Sequence, residues 1–144
     1  YGCYLVRPSK ALRFYENPER ETCLEDLTEW VGAKPTEYSG SRACCGFPIL
    51  TINEKAALKM VGNHTSTAKD LGADAMVTPC PLCHLNLDQY QNRAAGMMKR
   101  EIDIPIIHVP QLVGLALGLD PKELKINKHI ISTKKLLSEI SLRP

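Results

Sequence analysis

Ala75-Met76-Val77-Thr78-Pro79-Cys80-Pro81-Leu82-Cys83 sets the architecture of this chain. Ala75 to Thr78 is a short apolar run bounded by turn residues, the pattern of a strand buried in a parallel sheet. Pro81 suits the first turn of a helix, where its missing N–H would be unpaired in any case, so Cys80 falls near an N-cap. The helix that follows carries Leu82, Leu85, Leu87, Tyr90, Ala94 and Met97. A strand running straight into a helix is half of a parallel crossover unit.

The flanking sequence repeats that logic. Downstream, Ile104 to Val109 reads as a second buried strand. Pro110 then opens an apolar helix over Gln111 to Leu117, ended by Gly118. Upstream, Asn53 caps a helix from Glu54 to Leu71, closed by Gly72. Its apolar side is Ala57, Leu58, Val61, Thr65, Ala68 and Leu71. Lys34 to Ser39 reads as a further strand, entered through Pro35, and residues 40–43 form the turn after it. Arg7 to Tyr15 reads as a loop. Asn17 as N-cap and Pro18 as first residue predict a helix to Val31, with Gly32 behind it. Its stripe is Cys23, Leu24, Leu27, Trp30 and Val31, which makes Cys23 a small buried hydrophobe. Asp120-Pro121-Lys122-Glu123 has capping-box form and predicts a brief helical turn. Ser132 to Ile140 reads as a short surface helix, within a C-terminal extension over about 120–144.

Alternating strands and helices predict an α/β fold: an open, mostly parallel sheet with flanking helices, layered as in a Rossmann domain. The length of 144 residues suits one domain with a core of its own. Tyr1-Gly2-Cys3 begins where a strand should be ending, the start expected of a chain truncated at its N-terminus. A net charge of +2 points to neither nucleic acid nor a membrane surface. No run approaches the ~20 apolar residues of a transmembrane helix. The six cysteines are clustered rather than spread. That pattern fits metal or redox thiols in a reducing compartment, here the cytoplasm, better than a secreted disulfide framework.

Five of the six form the order Cys3, then Cys44-Cys45-Gly46, then Cys80-Pro81-Leu82-Cys83. Adjacent cysteines rarely bond to each other, because disulfide geometry is demanding. They can serve one metal centre from one bend, and Gly46 lets the backbone approach a bulky group. Cys80 at a helix N-terminus has its thiolate favoured by unpaired N–H groups. Ligands of open α/β sheets lie outside the carboxyl ends of the strands, which brings all three cysteine groups to one sheet edge. One zinc needs four thiolates, and five exceed it, which tilts the reading toward iron–sulfur with zinc as a substitute. Structural thiols are the plain alternative. A thioredoxin-like dithiol enzyme needs only one C-x-x-C and leaves Cys3, Cys44 and Cys45 without a role.

The pattern resembles the cysteine-rich CCG domain found in the B subunit of heterodisulfide reductase. The resemblance rests on Tyr1-Gly2-Cys3-Tyr4, Cys44-Cys45-Gly46-Phe47-Pro48, Thr78-Pro79-Cys80-Pro81-Leu82-Cys83-His84 and Ile107-His108-Val109-Pro110-Gln111-Leu112. It looks like the second, C-terminal of two such repeats in a full-length relative. What it implies is a noncubane [4Fe–4S] cluster held by Cys3, Cys44, Cys45, Cys80 and Cys83, with Cys44 and Cys45 at the chemistry. It further implies an oxidoreductase acting on a small disulfide, paired with the other CCG repeat. The implied partners are an iron–sulfur electron-donor subunit, like the C subunit of that reductase, and a flavin-containing subunit. One repeat alone would be inactive. Related domains serve electron transfer in dehydrogenase complexes, which keeps a non-catalytic module open, as is a zinc-stabilised structural domain.

Around the cysteines, His84 reads as a partly exposed helix residue that could also tune a cluster or donate a proton. His64 and His129 read as surface residues, and His108 as a structural histidine at a strand end. Arg42 reads either as a solvated loop residue or as a counter-charge for a cluster or substrate. Pro48 and Pro79 shape loops and are candidates for cis bonds.

Overall fold

A computed structural model of the chain describes residues 1–3 and 22–141. The expected loop over Arg7 to Tyr15 and the Asn17 cap lie outside the described residues. Helix α1 spans Cys23–Trp30. Its inward side is Leu24 and Thr28, with Leu24 packed on Tyr1. Cys23 is exposed and Trp30 is 82% exposed, so Cys23 is not the buried hydrophobe its spacing predicts. The stripe has two edges, and the molecule buries the one that meets Tyr1.

The expected strand at Lys34 to Ser39 does not form, and the segment runs without ladder partners. Pro35 removes one donor, and Thr36 and Glu37 face solvent. Two tight turns follow, with Ser41 N–H donating to Tyr38 O at 3.1 Å and Ala43 N–H to Gly40 O at 2.9 Å. The Tyr38 ring folds back over Gly40 where a Cβ would stand.

Helix α2, Glu54–Asp70, starts as expected: the Asn53 side chain accepts from Ala56 N–H at 3.0 Å. It ends in a left-handed Gly72, with Ala73 N–H bonded back to Ala68 O at 3.1 Å. Its buried side includes Ala57, Leu58, Val61, Thr65 and Ala68. Gly62 lies on the same side and lets Met98 of the later helix α4 close on α2.

Strand β1, Met76–Thr78, pairs in parallel with β2, Ile106–His108, in the register Met76 with Ile106 and Thr78 with His108. Helices α3, Pro81–Gln89, and α5, Val109–Ala116, both pack on these strands. The fold is therefore α/β with an open parallel sheet and flanking helices, as expected. Among the described residues the sheet has two strands.

Two boundaries move for one reason. Gln91 is fully buried; its Oε1 accepts Ile104 N–H at 2.8 Å and its Nε2 donates to Ile104 O at 3.0 Å. A side chain thus satisfies Ile104 where a strand partner would, and β2 starts at Ile106. The single helix expected through Met97 is broken at Tyr90, and α4 runs Gln91–Met98.

Beyond α5 the chain turns back. The Asp120 carboxylate accepts Lys122 N–H at 2.7 Å, a turn follows, and a 3₁₀ segment spans Ile126–Lys128. Ile126 is fully buried and Leu124 fills the space over Gly114. The buried Asp88 carboxylate of α3 accepts the N–H groups of Ile130 and Ile131 at 2.8 and 3.0 Å. Helix α6, Lys134–Ser141, closes the described chain. Among the described residues there is no cis peptide bond, so Pro48 and Pro79 are both trans. No helix among them is long and apolar enough to cross a membrane.

Candidate functional site: a thiol nest at the sheet edge

The nest is built first by β1 and α3. The chain leaves β1 at Thr78, whose hydroxyl accepts Cys80 N–H at 3.3 Å. Cys80 is extended at the N-cap of α3, and Pro81 and Cys83 lie in its first turn. Both thiols are buried. The start of the described chain crosses this turn. Gly2 has φ +67°, and a Cβ there would stand 2.8 Å from Cys80 Cβ, 3.5 Å from Cys83 Sγ and 3.7 Å from Cys80 Sγ. Cys3, the next residue, is one Cα step of about 3.8 Å away.

The double cysteine arrives from another direction. Gly46 has φ +94° and sits against α2, where its Cβ would meet Ala57 Cα and O at 3.1 Å. Its N–H points at Cys44 Sγ at 3.5 Å. The carbonyls of the pair are each held by a side chain. Cys44 O pairs with His64 Nε2 of α2 at 3.0 Å, and Cys45 O accepts from Asn86 Nδ2 of α3 at 2.8 Å. Cys45 is buried in one cluster with Cys80 and Cys83.

Cys45 and Cys83 share a hydrogen bond. The Cys45 thiol is drawn down to about 6, chiefly by the bond from Cys83; burial opposes this, and the N–H groups of Phe47 and Cys45 and the Asn86 side chain assist. Cys83 is pushed up, first by that same bond to Cys45 and then by burial. The contact and the surrounding N–H groups thus favour ionisation of Cys45 over Cys83. Tyr38 is raised to about 12, chiefly by burial.

The structure thus gathers Cys45, Cys80 and Cys83, with Cys3 one residue from Gly2 and Cys44 adjoining Cys45. Cys23 stands apart. None of the six cysteines is in a disulfide. Among the described residues no three His, Cys, Asp or Glu side chains are arranged to hold a single metal ion. The donors are nevertheless all sulfur, the set that suits iron–sulfur clusters.

The histidines differ from expectation. His64 and His129, expected at the surface, are half-buried and hydrogen-bonded. His64 bridges Cys44 O and the Tyr38 hydroxyl, and burial pushes it down. His129 meets Gln111 Nε2 at 2.9 Å, and its ring lies 4.7 Å from that of His84. His84 is half-buried, as expected, with its ring 6.0 Å from that of His108. Burial lowers all three, and His129 lowers His84 further. A cavity of about 480 Å³ lies beside them, bordered by His84, Asp88, Gln111, Lys125, Lys128 and His129. A smaller one of about 270 Å³ opens beside Cys44, bordered by Tyr38, Met60 and His64. The Arg42 guanidinium lies over the Tyr1 ring, 5.6 Å from its centroid.

Asn86 was legible only in outline: it follows Cys83 by three residues and so shares its helix face. His64 and Tyr38 carry no spacing signal, since turn and helix bring them together.

The site is a buried, all-thiol nest on the carboxyl edge of a small parallel sheet, the arrangement of a soft-metal domain. The cysteine-rich domain family CCG matches residues 1–88. The chain belongs to that family. It is similar to the 8-methylmenaquinol:fumarate reductase membrane anchor subunit of Wolinella succinogenes, 40% identical over 94% of this chain and 48% of that protein. It is also similar to the B subunit of the Ferredoxin/F(420)H(2)-dependent CoB-CoM heterodisulfide reductase of Methanosarcina acetivorans, 33% identical over 97% of this chain and 47% of that protein. A third relative, from Archaeoglobus profundus, is a protein like the B subunit of heterodisulfide reductase, 30% identical over 93% of this chain and 49% of that protein. The chain spans about half the length of these curated relatives.

Proposed function

We propose that this chain is the iron–sulfur-binding half of a heterodisulfide-reductase-like protein, an oxidoreductase component of a larger complex. The observation that supports it most is the meeting of Cys45, Cys80 and Cys83 in one buried cluster, with Gly2 pressed on Cys80 and Cys83. In this reading Cys3, Cys44, Cys45, Cys80 and Cys83 hold a noncubane [4Fe–4S] cluster. A four-iron cluster accepts thiolates spread around several irons, so it does not need donors gathered about one point. When bound, such a cluster would supply the electrons for reduction of a small disulfide. The S–S bond breaks with two electrons and two protons, leaving two thiols. The partners in this reading are an iron–sulfur electron-donor subunit and a flavin-containing subunit.

The residues of this chain prepare that step. The α3 N-terminus and the Phe47 N–H favour thiolate. Burial of Cys45, Cys80 and Cys83 excludes water from the nest. The chain's length, about half that of its relatives, fits one of two repeats; we take it as the C-terminal one, with the other repeat completing the site and this half inactive alone. An all-thiol centre fits a reducing cytoplasm.

The relative from Wolinella favours a second reading, an electron-transfer module of a quinol-linked complex without disulfide chemistry. Anaerobic reconstitution with iron and sulfide, read by EPR on wild type and Cys45→Ser, tests the cluster. We expect a cluster signal in wild type and its loss in the variant. Zinc without iron uptake in wild type would overturn the proposal. Disulfide turnover by the full complex separates the two readings.

A further inference from the structure

We propose that His64 and Asn86 are positioning residues that hold the Cys44–Cys45 pair by its two consecutive carbonyls and so fix where the two thiols point. This rests on the iron–sulfur reading above. Neighbouring residues project their side chains in different directions unless the peptide between them is fixed. Here neither carbonyl belongs to a helix or strand, so each needs a partner from elsewhere. Two different helices supply them: His64 Nε2 from α2 at 3.0 Å and Asn86 Nδ2 from α3 at 2.8 Å.

The tautomer of His64 follows from its partners. A carbonyl only accepts, so Nε2 carries the hydrogen, and Nδ1 accepts from the Tyr38 hydroxyl. Tyr38 is itself held over Gly40. Asn86 is fully buried, and its Oδ1 has no hydrogen-bond partner. A buried acceptor left unpaired is costly. An apolar residue of similar size would avoid that cost, so the feature that requires an amide here is its Nδ2. The second Nδ2 hydrogen is available to Cys45 itself, whose thiolate Asn86 favours.

The test compares wild type with Asn86→Leu, His64→Phe and His64→Gln. Each is reconstituted anaerobically with iron and sulfide, then read for iron content, EPR line shape and midpoint potential. In parallel, the carbonyl carbon shifts of Cys44 and Cys45 are read by NMR in the reduced, metal-free proteins. We expect Asn86→Leu to move the Cys45 carbonyl and His64→Phe the Cys44 carbonyl. Each should shift the EPR signal and the potential of the cluster that forms. Gln at position 64 keeps an N–H for the carbonyl and should restore both towards wild type. Unchanged line shape and potential in Asn86→Leu and His64→Phe would overturn the proposal. So would carbonyl shifts that do not follow the assigned partner. Should one variant fail to fold, the other still decides, since the two act from separate helices. Wild type that takes up no iron would sink the cluster reading instead, with the carbonyl shifts still testing the clamp.

Discussion

Gly2 rests directly on Cys80, with 2.8 Å between the Cys80 Cβ and the place where a side chain at residue 2 would begin. Gly72 has nearly the same backbone, φ +72° against +67°, yet nothing lies within 4 Å of its would-be Cβ. Alanine at either position bears the left-handed strain of about 1 kcal/mol. Only Gly2→Ala also displaces the C-x-x-C turn. We expect Gly72→Ala to lower thermal stability and leave iron uptake intact, and Gly2→Ala to lower both. Equal iron content in the two variants would contradict this.

The cysteines divide by burial. In the reduced, metal-free protein an alkylating reagent should modify Cys23 first, with Cys45, Cys80 and Cys83 protected until unfolding. Cys23→Ser should leave reconstitution unchanged. Mass spectrometry of a timed reaction checks the order.

The Cys45–Cys83 pair gives the metal-free protein a pH signature. In the fold the contact with Cys83 draws Cys45 down from an ordinary value of 9.0 to about 6. Between those values the unfolded chain holds a proton that the folded one has released, so stability rises with pH from about 6 upward. As pH falls through about 6 this contribution disappears. Above the ordinary value the raised Cys83 reverses the sign, because the folded form then keeps a proton that the unfolded form gives up. Thiolate absorbance should show a step near 6 that vanishes in Cys45→Ala. Urea unfolding across the same range checks the slopes.

Gln91→Leu removes both bonds to Ile104 and leaves a buried N–H and C=O unsatisfied. At about 1–3 kcal/mol for each orphaned group, a loss of several kcal/mol is expected in denaturant unfolding. A loss below about 1 kcal/mol would mean that Ile104 finds another partner.

Much of this was written in the residues. Asn53, Gly72, Pro81 and Gly118 mark helix ends because capping and left-handed backbone are local chemistry. Convergence of the cysteines followed from strand direction, although Cys44-Cys45 reaches the edge from an irregular segment rather than a strand. Interior polar residues were what stayed hidden. Gln91, Asp88 and Asn86 lie outside the apolar positions that define their helices, yet each satisfies a backbone group whose need only the folded chain reveals. Cys23 shows the converse: helical spacing defines a stripe but not which of its edges finds something to pack against.

Asp88, five residues past Cys83, grips the backbone at Ile130 and Ile131, and this separates the unit of kinship from the unit of folding. The family pattern ends at residue 88, but a polypeptide trimmed after Leu119 would lose the buried Ile126 and Ile131. It would also strand a carboxylate whose two donors are gone. Anyone expressing this module by its sequence signature alone would be cutting through its interior.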